Sequence, residues 1–407
     1  MKSDHSSPRT VLLLLLAVNL LNYIDRQALY AVFPLIKADL SLSDTSLGFL
    51  GSAFMLSYML SAPLFGWLAG RTGRATIAAA GVALWSLATV CSGFASGYRM
   101  LLAARTAVGI GEASFGTVSP GLLADFFPKE KRGKILSLFY LAIPVGSALG
   151  YLLGGYLGRE YGWHAAFLLV GVPGLLLVLP VWFIRTPGQP SSAVDLDEAA
   201  SPDYLSLATN RSFVVTTLAM AAMTFAIGGL AQWTPSFLNR MHGLDVGRAN
   251  ILFGGITVIS GIIGTLLGGA LGDRLQRKSR AGFLTVSAWG FLLGTPFLVW
   301  SICSPTVAGC LGALFCAETF LFFNTGPLNT VILDVNRHPL RAMAFAVNIF
   351  FIHALGDAVS PALLGWLSDR TDLRISLLIT PVAVIVAAVF CFLGRRFIDA
   401  DLAKVAE

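Results

Sequence analysis

The run Val11–Ile36, VLLLLLAVNLLNYIDRQALYAVFPLI, is long enough to cross a bilayer, yet it carries Asp25 and Arg26 side by side in its middle. A transmembrane helix needs about 20 apolar residues. A charged side chain at the centre of such a helix costs about 2.5–3.5 kcal/mol on insertion scales, so it faces partners or a watery cavity rather than lipid. Asn22-Tyr23-Ile24-Asp25-Arg26 is therefore the candidate working centre, and the chain is read outward from it.

The composition agrees with a membrane setting. Of the 407 residues, 56% are hydrophobic and 12% charged, against about a quarter charged in soluble domains. Apolar windows recur along almost the whole chain and leave no room for a soluble catalytic domain. The formal net charge of +6 sits in short loops between those windows, with no basic patch of interleaved aromatics, so nucleic acid is not an expected partner. Cys91, Cys303, Cys310, Cys316 and Cys391 form no C-x-x-C pair, and neither a disulfide framework, a metal site nor a cofactor is expected. Lys2 and Arg9 precede a leucine run as in a signal peptide, but apolarity continues too far for one, which predicts an uncleaved first helix.

Apolar runs predict twelve transmembrane helices, near 10–36, 44–69, 75–96, 99–127, 134–158, 164–185, 211–240, 246–272, 281–303, 307–335, 342–367 and 375–395. An even count places both termini on one side. Of the 28 lysines and arginines, 19 fall on that side and 7 on the other, which predicts cytoplasmic termini. Residues 186–210, with Pro187, Pro190, Pro202 and the acids Asp195, Asp197 and Glu198, read as a cytoplasmic linker between bundles 1–185 and 211–407.

An internal repeat organises the helices. Gly66-Trp67-Leu68-Ala69-Gly70-Arg71, Gly269-Ala270-Leu271-Gly272-Asp273-Arg274 and Gly365-Trp366-Leu367-Ser368-Asp369-Arg370 close helices 2, 8 and 11, and the shorter Gly155-Tyr156-Leu157-Gly158-Arg159 closes helix 5. Four three-helix units follow, in two pseudo-symmetric six-helix halves with a site near the membrane midplane. Asp125 and Arg132 recur as Asp334 and Arg341 at a common offset of 209.

On these residues the chain resembles the major facilitator superfamily, whose loop after helix 2 carries a G-x-L-x-D-R-x-G-R motif. Arg71, Gly73 and Arg74 match it, while Gly70 stands where the acid belongs and Asp273 keeps that acid in the second half. The resemblance implies a cytoplasmic gate braced by Arg71, Arg74, Asp125, Asp273 and Arg274. Asn22-Tyr23-Ile24-Asp25-Arg26 together with Arg105-Thr106-Ala107-Val108-Gly109-Ile110-Gly111-Glu112 in helix 4 resembles the spinster family more narrowly. That resemblance implies proton-linked movement of lysolipids or sphingoid phosphates.

The polar residues within the helices have their own geometry. Arg105, Gly109, Glu112 and Gly116 share one stripe of helix 4. Asp25 is turned by about 100° from Arg26. Arg26 is expected to pair with Glu112 or Asp25, either as a structural ion pair or as a substrate-binding cation, with Asp25 orienting it. Arg105 lies nearer the outer end, free either to snorkel or to cap helix contacts or to bind substrate. Asn22, Tyr23, Gln232 and Trp233 complete the candidate substrate site. Glu112 is the candidate proton-coupling acid, Asp25 assists it, and Glu318 follows it by 206 residues in helix 10. His353 and Asp357, four apart in helix 11, read equally as a proton relay or as a packed neutral pair. The expected function is a proton-coupled transporter of an amphipathic anionic lipid, in a multi-pass protein of the plasma (inner) membrane acting as a monomer. A small organic anion or drug-like molecule is the alternative substrate. Five scattered histidines without an H-E-x-x-H pattern, and no P-loop, argue against an enzyme or an ATP-driven pump; a channel is disfavoured by the repeats around midplane charges.

Overall fold

The computed structural model describes residues 6–186, 204–337 and 340–406, and all regular structure among them is helical. In chain order the α-helices are α1 (Pro8–Ala31), α2 (Phe33–Leu40), α3 (Asp44–Thr72), α4 (Arg74–Ser92), α5 (Tyr98–Phe126), α6 (Lys129–Tyr140), α7 (Ala142–Trp182), α8 (Tyr204–Thr209) and α9 (Arg211–His242). They continue as α10 (Val246–Gln276), α11 (Gly282–Cys303), α12 (Val307–Leu321), α13 (Pro327–Asp334), α14 (Arg341–Ile352), α15 (Ser360–Arg370), α16 (Leu373–Leu377), α17 (Ile379–Gly394) and α18 (Ile398–Ala406). Ten segments among the described residues are long and apolar enough to cross a membrane, one of them the 52-residue Lys131–Trp182. That segment turns at Gly162, whose φ of 83° splits α7 into two crossings. The 29-residue α5, with Arg105 and Glu112 in its interior, lies outside those ten. Counting both accords with twelve crossings.

Several predicted helices are interrupted where proline or glycine breaks the ladder. Helix 1 ends at Ala31, and Val32 (φ −103°, ψ 7°) separates it from α2, because Pro34 has no amide hydrogen to continue the helix. The tenth crossing passes from α12 through a 3-10 turn, Phe322–Asn324, into α13, which Pro327 starts at its first position. The eleventh contains a π-turn, His353–Asp357, with Gly356 at φ −100° and ψ −106°, before Pro361 opens α15.

The chain divides into two compact units, Met1–Leu196 with Leu244–Gly254, and Asp197–Gly243 with Gly255–Glu407. The expected linker, 186–210, lies mostly outside the described residues; its described end forms the six-residue α8. In the first unit the stretch 244–254 is fastened by Asn250, whose amide donates to the Ala31 carbonyl at 3.0 Å. In the second, Asp401 of α18 accepts a 2.9 Å bond from the Ser212 amide and so caps the start of α9.

The working centre is positioned by close packing of α7 on α1. Gly146, Gly150, Gly154 and Gly158 recur every fourth residue, and a Cβ at each would come within 2.7 Å of Tyr23 Cβ, 2.6 Å of the Ile24 oxygen, 2.8 Å of Ala28 Cα and 2.7 Å of a Val32 methyl. Without side chains the two backbones meet, as small residues permit between membrane helices. Gly150→Leu is expected to lower stability by about 1–3 kcal/mol in thermal unfolding of the purified protein, whereas Gly133→Leu, where an added Cβ meets nothing within 4 Å, leaves it unchanged.

Candidate functional site

Two ion pairs tie α1 to α5. The Arg26 Nε donates to Glu112 Oε2 at 2.6 Å, and an Arg105 terminal nitrogen donates to Asp25 Oδ1 at 2.9 Å. Adjacent residues on α1 point about 100° apart, and the long arginine side chains let each find an acid on the other helix. Asp25 Oδ2 also accepts from the Thr89 hydroxyl of α4, so both its oxygens are engaged.

The two pairs differ in access. The Arg105 and Asp25 side chains are 1% and 3% exposed; Glu112 is at 0%, but the Arg26 side chain retains 16%. The Arg26 guanidinium lies 4.9 Å from the Tyr23 ring centre and 5.0 Å from those of Phe54 and Tyr58, a cation–π surround that holds the charge without consuming its remaining N–H donors. Glu112 Oε1 and the Asn22 amide nitrogen are buried without a hydrogen-bond partner among the described residues. One pair is thus sealed, with both Asp25 oxygens engaged while the Arg105 Nε has no hydrogen-bond partner among the described residues, and the other is open on the arginine side with acceptor capacity to spare.

This arrangement corrects two expectations. Asp25 does not orient Arg26; it is held by Arg105 and Thr89. Arg105 does not snorkel, because Asp25 neutralises it in the interior and the Phe54 ring lies 5.5 Å from its guanidinium. Thr89 was not anticipated, since a single hydroxyl near the end of a mostly apolar α4 carries no distinguishing pattern. Phe54 and Tyr58, four apart on α3, had a usable signal in their shared helical face.

In the second unit the polar residues stand on different helices. Trp233 is fully buried and its indole donates to the Pro361 carbonyl at 3.1 Å, joining α9 to α15. That bond gives Trp233 a packing contact between the two helices. Gln232 beside it is also at 0% exposure, with neither amide atom hydrogen-bonded among the described residues. His353 Nδ1 and Asp357 Oδ1 are 2.9 Å apart across the π-turn and half-buried. Glu318 on α12 meets Thr257 and Ser260 of α10.

The residues at the helix 2–3 turn form a further cluster. Arg74 reaches both oxygens of Asp125 at 2.8 and 2.7 Å, a one-nitrogen grip joining α4 to α5. Arg71 instead stacks on Trp67 at 3.8 Å. Asp273 and Arg274, at the end of α10, are exposed.

Removing one partner of a buried ion pair costs about 3–5 kcal/mol, because the other charge is left bare. Arg105→Ala is expected to show a loss of that size in thermal unfolding, and adding Asp25→Asn to restore part of it. Additive losses in the double variant would mean that the two side chains are not coupled.

Comparison with known proteins gives the family. The sequence pattern of the Major Facilitator Superfamily matches residues 15–361. Human protein spinster homolog 1 is 36% identical over 380 residues, spanning 87% of this chain and 71% of that protein. The zebrafish (Danio rerio) sphingosine-1-phosphate transporter SPNS2 is 32% identical over 425 residues, spanning 96% of this chain and 84% of that protein. The crystal structure of a bacterial homologue of the human lysosomal transporter spinster superposes with a TM-score of 0.88 at 24% identity, covering 97% of this chain and 98% of the other. The all-helical fold and its relatives agree, and the chain belongs to the major facilitator superfamily and, within it, to the spinster family of multi-pass membrane transporters.

Proposed function

We propose that the protein is a proton-coupled secondary transporter of an amphipathic anionic lipid, a lysophospholipid or sphingoid phosphate, working by alternating access of its two six-helix bundles, 1–185 and 211–407. The observation that carries this reading is the open Arg26–Glu112 pair beside the sealed Arg105–Asp25 pair. Arg26 keeps donors for an incoming phosphate while its other face rests on aromatic rings. When Arg26 turns to the substrate, Glu112 loses its cation, and a buried carboxylate left without one takes a proton from water rather than stand as a bare charge. Binding of the anion and of the proton therefore go together. Asp25 and Arg105 hold α1 to α5 while this exchange takes place, and Arg74–Asp125 braces the turn after helix 2 on what we take to be the cytoplasmic side. The relative that is named a sphingosine-1-phosphate transporter supports a phosphate-bearing lipid over a small organic anion. We place the protein in the plasma (inner) membrane as a monomer with cytoplasmic termini.

In proteoliposomes, Arg26→Ala is expected to weaken substrate binding at least about 30-fold, the equivalent of about 2 kcal/mol. Arg26→Lys, which keeps the charge but loses the fork, restores part of it. Glu112→Gln is expected to leave downhill exchange intact and to weaken its acceleration by a pH gradient. Wild-type pH-driven uptake in both Arg26→Ala and Glu112→Gln would refute the reading.

A further inference from the structure

Glu318 is the one charged residue of α12, and α11 beside it has none. The other elements that pack against α12 bring no charge to its level. On α9 the charges are Arg211, Arg240 and His242, all at the ends, and the 3-10 turn Phe322–Asn324 has none. On α10, Arg248 and Asp273 lie 12 and 13 residues from Ser260, about 18 and 20 Å along the helix, with Arg274 one residue further. The remaining titratable groups are the thiols Cys303, Cys310 and Cys316 and Arg374 of α16, which acts on Cys310, eight residues or about 12 Å along α12 from Glu318. Among the described residues Glu318 has no cation within ion-pair distance, although only 2% of it is exposed.

What it has instead is hydroxyl groups. Thr257 Oγ1 lies 3.2 Å from Glu318 Oε1, and Ser260 Oγ lies 3.0 Å from Oε2 and 3.3 Å from the Thr257 carbonyl. They are delivered by a close approach of the two helices: at Gly264, one turn on from Ser260, an added Cβ would stand 2.8 Å from Phe322 Cβ. Thr257, Ser260, Gly261 and Gly264 share one face of α10.

Counting hydrogens decides the state of this cluster. Ser260 has one hydrogen and two acceptors in reach. An ionised Glu318 would be a buried charge with at most two neutral donors, a poor substitute for water or a cation. As a carboxylic acid it donates to Ser260 Oγ, Ser260 donates to the Thr257 carbonyl, and Thr257 donates to the other Glu318 oxygen. Every group is then used and no net charge remains.

We propose that Glu318, with Ser260 and Thr257, is a second proton-binding site in the second unit, occupied in this structure and separate from the Arg26–Glu112 exchange. Its consequence for transport rests on the proton-coupled function proposed above; its protonation does not. A transport cycle then carries one proton at Glu112 and another at Glu318.

Infrared spectra of the purified full chain at neutral pH are expected to show a protonated-carboxyl stretching band that is lost in Glu318→Gln and shifted in Ser260→Ala. No band lost in Glu318→Gln would overturn the proposal. Glu318→Gln is expected to keep wild-type thermal stability, because the amide reproduces both the donor and the acceptor of the neutral acid; a large loss would mean that the carboxylate is ionised and would also overturn it. In proteoliposomes, the number of protons moved per substrate, read from the pH gradient that balances the substrate gradient, is expected to fall by one in Glu318→Gln. An unchanged number there, with a fall in Glu112→Gln, would overturn the second site alone. An unchanged number in Glu112→Gln, with the infrared band intact, would instead remove the proposed coupling at Glu112.

Discussion

The Glu112 carboxylate is wholly buried and holds one guanidinium, 2.6 Å away, as its only cation in direct contact among the described residues. In the membrane interior such a charge is tolerated only while that contact lasts. The first unit is built to maintain it: α7 presses on α1 through four glycines, Arg105–Asp25 pins α1 to α5, and three aromatic rings surround the arginine. The same dependence makes the contact useful. A substrate anion that takes Arg26 away leaves Glu112 with a choice between bare charge and protonation, and the surrounding low dielectric makes the second far cheaper. On the proposed reading, coupling at Glu112 rests on competition for one arginine.

Much of this was legible in the residues. An Asp-Arg step in the middle of an apolar run announces buried partners, and Arg105 and Glu112, seven apart on one face of α5, supply them. The assignment of partners was not legible, because helical spacing gives direction and depth but not which long side chain reaches across. Arg26 had two acids available, and Asp25 went to Arg105 because Thr89, on a third helix, closes its second oxygen. Nor could spacing show that Trp233 turns toward Pro361, a contact made between helices far apart in sequence. Chain breaks such as the π-turn at His353–Asp357 depend on how Gly356 packs against Thr224, where an added Cβ would come within 2.8 Å.

The repeat gives the two units equivalent carboxylates with different chemistry. Glu112 faces an arginine, whereas Glu318 faces two hydroxyls on a helix brought close by glycine. One unit therefore manages an ion and the other a neutral acid. The pseudo-symmetry that duplicated the backbone left the electrostatics free to diverge.

The central claim is that substrate and Glu112 compete for Arg26. It is tested most directly by measuring proton exchange on binding, with the purified protein in weakly buffered solution and a pH-sensitive dye, while a sphingoid phosphate or lysophospholipid is added. The account predicts proton uptake that saturates with lipid binding and disappears when position 112 cannot ionise. Saturating lipid binding with no proton uptake would contradict it.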